Sequence, residues 1–342
     1  MNMEREDKKR DTINRRKFFA RGAAATVAAS LAPGSILAAG GDKFHPLPES
    51  PLPSRPLGST GARLPLLTFG AAGSWLNYDK DIALKVLSDA IDKGITSIDT
   101  AVSYGKGKSE ELIGALGPER RKDILIHDKI YTRDKEKWWA QLEAALKRLN
   151  TDYVDTLMIH AWSEEDEKKL EAKGGPVELL YRAKEQKLCR WIGVSCHSNS
   201  AGLLEFIKRY PLDSIMISLN VATQGYTDDD GEHLDLGLVD KVLPEAVNQG
   251  QGVIAMKAFG AGQIAGKYPG FDHATCLRYV LSLPVAGATI SMPNFQQLWD
   301  NIEIVKNFKP FTKEEMQALR EKAHGEIKSS FIEFMRRHTD LA

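Results

Sequence analysis

The chain has 342 residues, with 46 Lys+Arg against 46 Asp+Glu, and 42% of it is hydrophobic. This is enough for one large domain or two small ones, and the even charge leaves no basic footprint for nucleic acid or an anionic membrane surface. Three cysteines, Cys189, Cys196 and Cys276, are too few for a disulfide framework and form no Cys-x-x-Cys cluster, so no metal is expected.

Residues 1–17 are polar and charged, and an Ala-rich, weakly apolar stretch follows over 20–40. Basic region, apolar region and small-residue end together predict a signal peptide over 1–40, with cleavage near 38–40. Arg15 and Arg16, just before Phe18 and Phe19, resemble the twin-arginine export motif. The resemblance implies the twin-arginine machinery as a partner and a periplasmic or otherwise exported location. That route carries folded proteins, so a cofactor could be loaded before export. An uncleaved anchor is the alternative, but Ala, Gly, Ser, Thr and Pro33 make a poor bilayer span, and no stable one is expected. Residues 41–54 read as a Pro-rich lead-in and 55–342 as the folded unit.

From residue 55 the pattern begins with a hairpin over 55–64, placed to cover the floor of the next elements. Strand-like runs then alternate with helix-like runs. The strand runs are 66–70, 97–99, 124–130, 154–160, 190–195, 214–220, 252–257 and 288–292. The helical runs are 81–93, 109–116, 136–149, 176–187, 200–209, 233–249, 272–283 and 295–307, with a helical tail from Lys313. Gly94 and Gly250 stand where helices should end. Eight strand–helix units in about 250 residues is the arithmetic of an α/β fold of the (β/α)8 TIM-barrel type, here with an N-terminal hairpin and a C-terminal helical tail. The rival, an open doubly wound sheet, is weakened because no Gly-x-Gly-x-x-Gly turn follows the first strand.

Asp99, Lys129 and His160 fall at the C-terminal ends of three successive strand runs, and Tyr104 lies five residues beyond Asp99. Each alone could be structural: a loop tyrosine, a core histidine, an ion pair. Jointly they predict one polar site at the barrel mouth. An ammonium beside a phenol stabilises the phenolate and lowers its pKa from about 10, so a Tyr–Lys pair can serve as general acid. In this reading Asp99 orients Lys129 and His160 positions a substrate oxygen, while Tyr104 gives a proton to a carbonyl as hydride reaches its carbon. Trp75, after the first strand, and Trp162, just past His160, are expected to wall the substrate pocket. Glu110 falls in a helix and reads as solvated or as a cap, which leaves no second carboxylate for a glycosidase-type pair.

Ile98-Asp-Thr-Ala-Val-Ser-Tyr-Gly105, Thr151-Asp-Tyr-Val-Asp-Thr-Leu-Met-Ile-His160, Ile192-Gly-Val-Ser195 and Phe259-Gly-Ala-Gly-Gln-Ile-Ala-Gly-Lys267 resemble motifs of the aldo/keto reductases over about residues 55–310. The resemblance implies a nicotinamide cofactor at the barrel mouth, NADP or NAD undecided, and a small carbonyl or alcohol substrate such as an aldehyde, ketone or sugar. It places the family's tetrad on Asp99, Tyr104, Lys129 and His160. It places the cofactor on Ser195, Cys196, Met216, Phe259, Gly260, Gly262, Ser291, Asn294, Gln297 and Asn301; Lys257, a further cation at a strand end, is read from its position either as a cofactor-phosphate contact or as a structural lysine near the mouth.

The chain departs from the family where the nicotinamide would lie. Cys196 and His197 follow Ser195 in place of the usual Asn, and Met216 and Leu219 replace the usual Gln and Tyr. Ser291 and Gln297 stand where cations often hold the 2′-phosphate of NADP, so NADP preference is not assured. An alternative is therefore a binding or regulatory barrel that keeps the tetrad with little or no turnover. The polar insert 223–232 is placed to cover the mouth or to remain a plain surface loop.

Overall fold

Eight parallel strands close into a barrel in the computed structural model. The structure describes residues 43–327, apart from 198–199, 223–225, 228–232, 235–236 and 293, together with Phe331 and Phe334. The expected export signal and most of the 223–232 insert lie outside the described residues. Among the described residues no helix is long and apolar enough to cross a membrane.

In chain order the strands are β1 (Ser54–Pro56), β2 (Arg63–Pro65), β3 (Leu67–Gly70), β4 (Ser97–Asp99), β5 (Leu125–Ile130), β6 (Val154–Ile159), β7 (Cys189–Cys196), β8 (Ser214–Ser218), β9 (Tyr226–Thr227), β10 (His233–Leu234), β11 (Gly252–Met256) and β12 (Gly287–Ile290). The helices are α1 (Lys80–Asp92), α2 (Lys108–Gly114), α3 (Pro118–Arg121), α4 (Lys135–Arg148), α5 (Glu167–Leu170), α6 (Pro176–Glu185), α7 (Ser200–Arg209), α8 (Leu243–Asn248), α9 (His273–Ser282), α10 (Phe295–Lys306) and α11 (Lys313–Glu326). The barrel order is β11-β12-β3-β4-β5-β6-β7-β8, closed by β8 against β11. The hairpin β1–β2 and the small pair β9–β10 stand outside it.

Local chemistry explains the alternation. The barrel strands are short, rich in Ile, Val and Leu, and buried almost throughout, as parallel strands covered on both faces must be. In α1 the buried residues are Ala83, Val86, Leu87, Ala90 and Ile91, the spacing that turns one helical face to the barrel. Gly94 ends that helix at φ +98°, a conformation open to glycine, and its carbonyl accepts from Ser50 Oγ at 2.6 Å. The tail forms α11, started by a capping box in which Thr312 and Glu315 exchange hydrogen bonds.

One element differs from the pattern. The periodicity predicts a single helix over 233–249; instead β10 is followed by a wide π-turn over Leu238–Val242 and then by α8. Pro244 is the reason. It has no N–H to donate, and it is accommodated only in the opening turn of a helix, so the α-helix starts there.

The hairpin plugs the barrel floor. Leu57, Ala62 and Leu64 pack into a cluster with Leu125, Met158, Met216, Ile254 and Met256 from the barrel strands. A Cβ on Gly252 would lie 2.3 Å from Leu57 Cδ1, so β11 needs glycine where the plug enters. Replacing Leu57 with Ala should cost about 2–5 kcal/mol. The check is the denaturant midpoint, which should fall with little change in slope.

Candidate active site

The barrel brings the four predicted residues together at its C-terminal mouth. Asp99 closes β4, Lys129 is the penultimate residue of β5, and His160 follows β6. Lys129 Nζ donates to Asp99 Oδ1 at 2.5 Å, to the Thr100 carbonyl at 2.9 Å and to Tyr104 Oη at 3.2 Å. All three side chains are buried, Lys129 to 1% exposure. A charge so placed is tolerable only when paired and fully hydrogen-bonded, and these contacts supply both conditions. The ammonium also lies 4.8 Å from the Tyr104 ring centroid.

Tyr104 starts a tight turn in which Gly105, Lys106 and Gly107 all have positive φ. This turn folds the phenol back over the strand ends. Its ring meets His160 edge-on, with centroids 5.8 Å apart. His160 Nδ1 lies 3.3 Å from Ser103 Oγ, and its backbone N–H donates to Ile130 O at 3.0 Å. Arg133 holds the loops around it: the guanidinium donates to the carbonyls of Tyr131, His160 and Ala161 at 2.7–2.9 Å and pairs with Asp166 at 3.0 Å.

Beneath the tetrad a polar row crosses the barrel interior. Thr68 Oγ1 is 2.9 Å from Ser97 Oγ, Ser97 is 2.9 Å from His127 Nε2, and His127 Nδ1 is 2.9 Å from Thr156 Oγ1. Burial, with the Lys129 charge adding to it, pushes the His127 imidazole down to about 3. On the opposite face of β5, burial first and then nearby Glu110 push the Asp128 carboxyl well above its usual range.

A groove of about 720 Å³ opens beside Tyr104 and Asp99 and runs over the ends of β11, β12 and β3. Of the residues expected to hold a cofactor, Lys257, Phe259, Gly262, Ser291, Gln297 and Asn301 line it. The others do not. Ser195 is buried, its Oγ accepting from Ala161 N at 2.9 Å. Cys196 and Met216 are fully buried. Gly260 turns the chain at φ +61°, where a Cβ would strike Ile264. Asn294 caps α10, accepting from Gln297 N at 2.9 Å.

Three further expectations are corrected. Trp75 does not wall the groove: it is wholly buried, its indole N–H donates to Ala83 O at 3.2 Å, and it packs edge-on against Phe69. Trp162 is likewise buried and packs on Phe206. Both belong to the barrel–helix core, because the loops carrying them turn inward. Glu110 is neither solvated nor a cap; it is buried and paired with Arg148 at 2.5 Å. Sequence reasoning also missed Gly70, Ala72, Gly73, Ser74, His273, Thr289 and Asp300 in the groove lining. The glycine-rich run Gly70-Ala-Ala-Gly-Ser74 after the first barrel strand was the available signal.

A closed (β/α)8 barrel with its polar site at the strand C-termini is a common enzyme class. The sequence model of the aldo/keto reductase family matches residues 66–274, and the chain belongs to that family, a family of oxidoreductases. It is 30% identical over 158 residues to the uncharacterized oxidoreductase YqkF of Bacillus subtilis (strain 168), covering 43% of this chain and 50% of that one. The chain spans half the length or less of several such curated relatives. An aldo-keto reductase from Bacillus halodurans in its holo form superposes with a TM-score of 0.67 at 20% identity, over 82% of this chain and 99% of that one. One from Klebsiella pneumoniae, solved with NADP and acetate, gives 0.62 at 18% identity, over 78% and 94%.

A free imidazole protonates near ~6.5, whereas buried His127 stays neutral down to about 3. The unfolded chain therefore takes up a proton that the folded chain refuses, and stability falls as pH drops through that window. His127→Gln should flatten the fall by about one proton. Urea unfolding across the range measures it; an unchanged slope would assign the acid sensitivity to other groups.

Proposed function

We propose that this protein is an exported oxidoreductase that moves hydride between a nicotinamide coenzyme and a small carbonyl or alcohol substrate, an aldehyde, ketone or sugar. The observation that carries the reading is the buried contact set of Tyr104, Lys129 and Asp99 at the inner end of the groove. Export rests on the Arg15-Arg16 pair ahead of the Ala-rich stretch. In this reading residues 1–40 are the export signal, 41–54 a lead-in and 55–342 the catalytic unit.

The groove fits a dinucleotide. Its volume falls within the ~300–1,000 Å³ of cofactor sites, it is lined by small residues along 70–74, and Lys257 supplies a cation beside the 260–262 turn. Lys257, Phe259, Gly262, Ser291, Gln297 and Asn301 would hold the coenzyme. When bound, it supplies or takes the hydride. The protein handles the proton. Tyr104 Oη gives its hydrogen to the substrate oxygen as the carbonyl becomes an alcohol, and takes it back in the reverse direction. The Lys129 ammonium, 3.2 Å away, stabilises the phenolate left behind. Asp99 holds that ammonium in place, and His160 fixes the oxygen within reach of the phenol.

Titration of the purified protein with NADH and NADPH, followed by fluorescence, tests the reading. Saturable binding is expected. Tyr104→Phe should retain it while lowering kcat for carbonyl reduction about 10²–10⁴-fold. No binding of either coenzyme, and none released on denaturation, would overturn it. For export, Arg15→Lys with Arg16→Lys should leave the chain in the cytoplasmic fraction; undiminished export would overturn that part.

A further inference from the structure

Behind the tetrad lies a carboxyl that the proposed reaction does not use. Side chains alternate across a strand, so Asp128 points away from the Lys129 side chain, out of β5 towards the helices. It is fully buried there, and its Oδ1 accepts from the Lys129 backbone N–H at 2.8 Å. The charged groups acting on it are Glu110 from α2, Arg148 from α4 and Lys129 on its own strand, with Glu111 acting on Glu110 in turn. Lys129 is matched by Asp99, and Arg148 by Glu110. One carboxylate is left over. An unmatched charge in a dry interior is costly, and a carboxyl so placed takes up a proton instead. Asp128 Oδ2 and Glu110 Oε1 are both buried without a hydrogen-bond partner among the described residues. A single proton between the two carboxyls satisfies both oxygens and leaves the buried charges even.

The same cluster grips the turn that delivers the phenol. Gly107, the last of the three positive-φ residues after Tyr104, leads into α2, and a Cβ there would lie 2.6 Å from Arg148 Nε. At the other end of α2 a Cβ on Gly114 would strike the Arg148 carbonyl. Arg148 thus packs along α2 from its first residue to its last, and between them its guanidinium pairs with Glu110. Asp128 is the chain neighbour of Lys129, and Glu110 sits in the helix that the Tyr104 turn opens. We propose that Asp128 and Glu110 share one proton in a hydrogen bond that, with Arg148, ties the strand carrying Lys129 to the turn carrying Tyr104. Asp128 is then a positioning residue that acts on the phenol through Lys129. Its bearing on catalysis rests on the reading of Tyr104 as the acid; the shared proton does not.

Two measurements on the full chain test this. The first is the infrared difference at neutral pH between wild type and Asp128→Asn. The C=O stretch of a protonated carboxyl should stand in wild type and vanish in the variant; its absence from wild type would overturn the shared proton. The second is the titration of Tyr104, read as phenolate absorbance against the same chain carrying Tyr104→Phe. Asparagine is neutral, and its amide can donate to Glu110 while its carbonyl accepts from the Lys129 N–H, so Asp128→Asn should leave that titration in place. Asp128→Ala breaks the link and should raise its midpoint by about one pH unit or more, as the ammonium loses its register with the phenol. Asp128→Leu, nearer in volume, serves if the alanine chain does not fold. A midpoint unmoved by the broken link, or moved as far by asparagine, would overturn the positioning role. Neither readout needs coenzyme or turnover, so a failure to reduce carbonyls would overturn the proposed activity and leave the link itself standing.

Discussion

A parallel sheet of eight strands leaves two edges of unpaired backbone groups unless its ends meet, and here β8 meets β11 to close the ring. Closure dictates where the chemistry can sit. Every strand points the same way, so every strand end opens on one rim. Residues far apart in the chain, such as Asp99, Lys129 and His160, are brought to that rim by direction alone. The interior is then too dry for a lone ammonium, and Lys129 is stable there because Asp99, Thr100 O and Tyr104 surround it. The contact that orients the phenol is thus the same one that makes the lysine's burial tolerable.

Much of this architecture is legible in the sequence, for physical reasons. A buried parallel strand needs an unbroken apolar run, so a Lys or Asp ending one stands out, and the tetrad residues at strand ends are visible in that way. The barrel emerges from counting the alternation of such runs with helices. The outer wall of the groove is less legible. His273, Thr289 and Asp300 line it through the path of the backbone, and no residue pattern encodes that path. Tryptophans beside strand ends mislead because burial of a large ring depends on which way its loop turns. Trp75 and Trp162 turn inward, against Phe69 and Phe206. Glu110 misleads for the opposite reason: its partner Arg148 lies 38 residues away, beyond the reach of any local spacing rule.

Backbone strain is concentrated at the mouth. Among the described residues, six that are not glycine adopt positive φ, and Lys106, Ala161, Lys257 and Ala261 belong to loops at the strand C-termini. Each costs on the order of 1–3 kcal/mol relative to an unstrained conformation. Lys106 lies in the turn that delivers Tyr104, Ala161 follows His160, and Lys257 and Ala261 bracket the turn that edges the groove. The rest of the barrel, fully paired and tightly packed, holds these turns in conformations that isolated segments would abandon.

The Arg133 clamp gives the mouth two unlike sides. Where its guanidinium ties the carbonyls of Tyr131, His160 and Ala161 to Asp166, two loops are joined into one wall. Such a wall cannot widen without breaking several charged hydrogen bonds at once. On that flank the rim has no slack, and its outline is set by the protein alone.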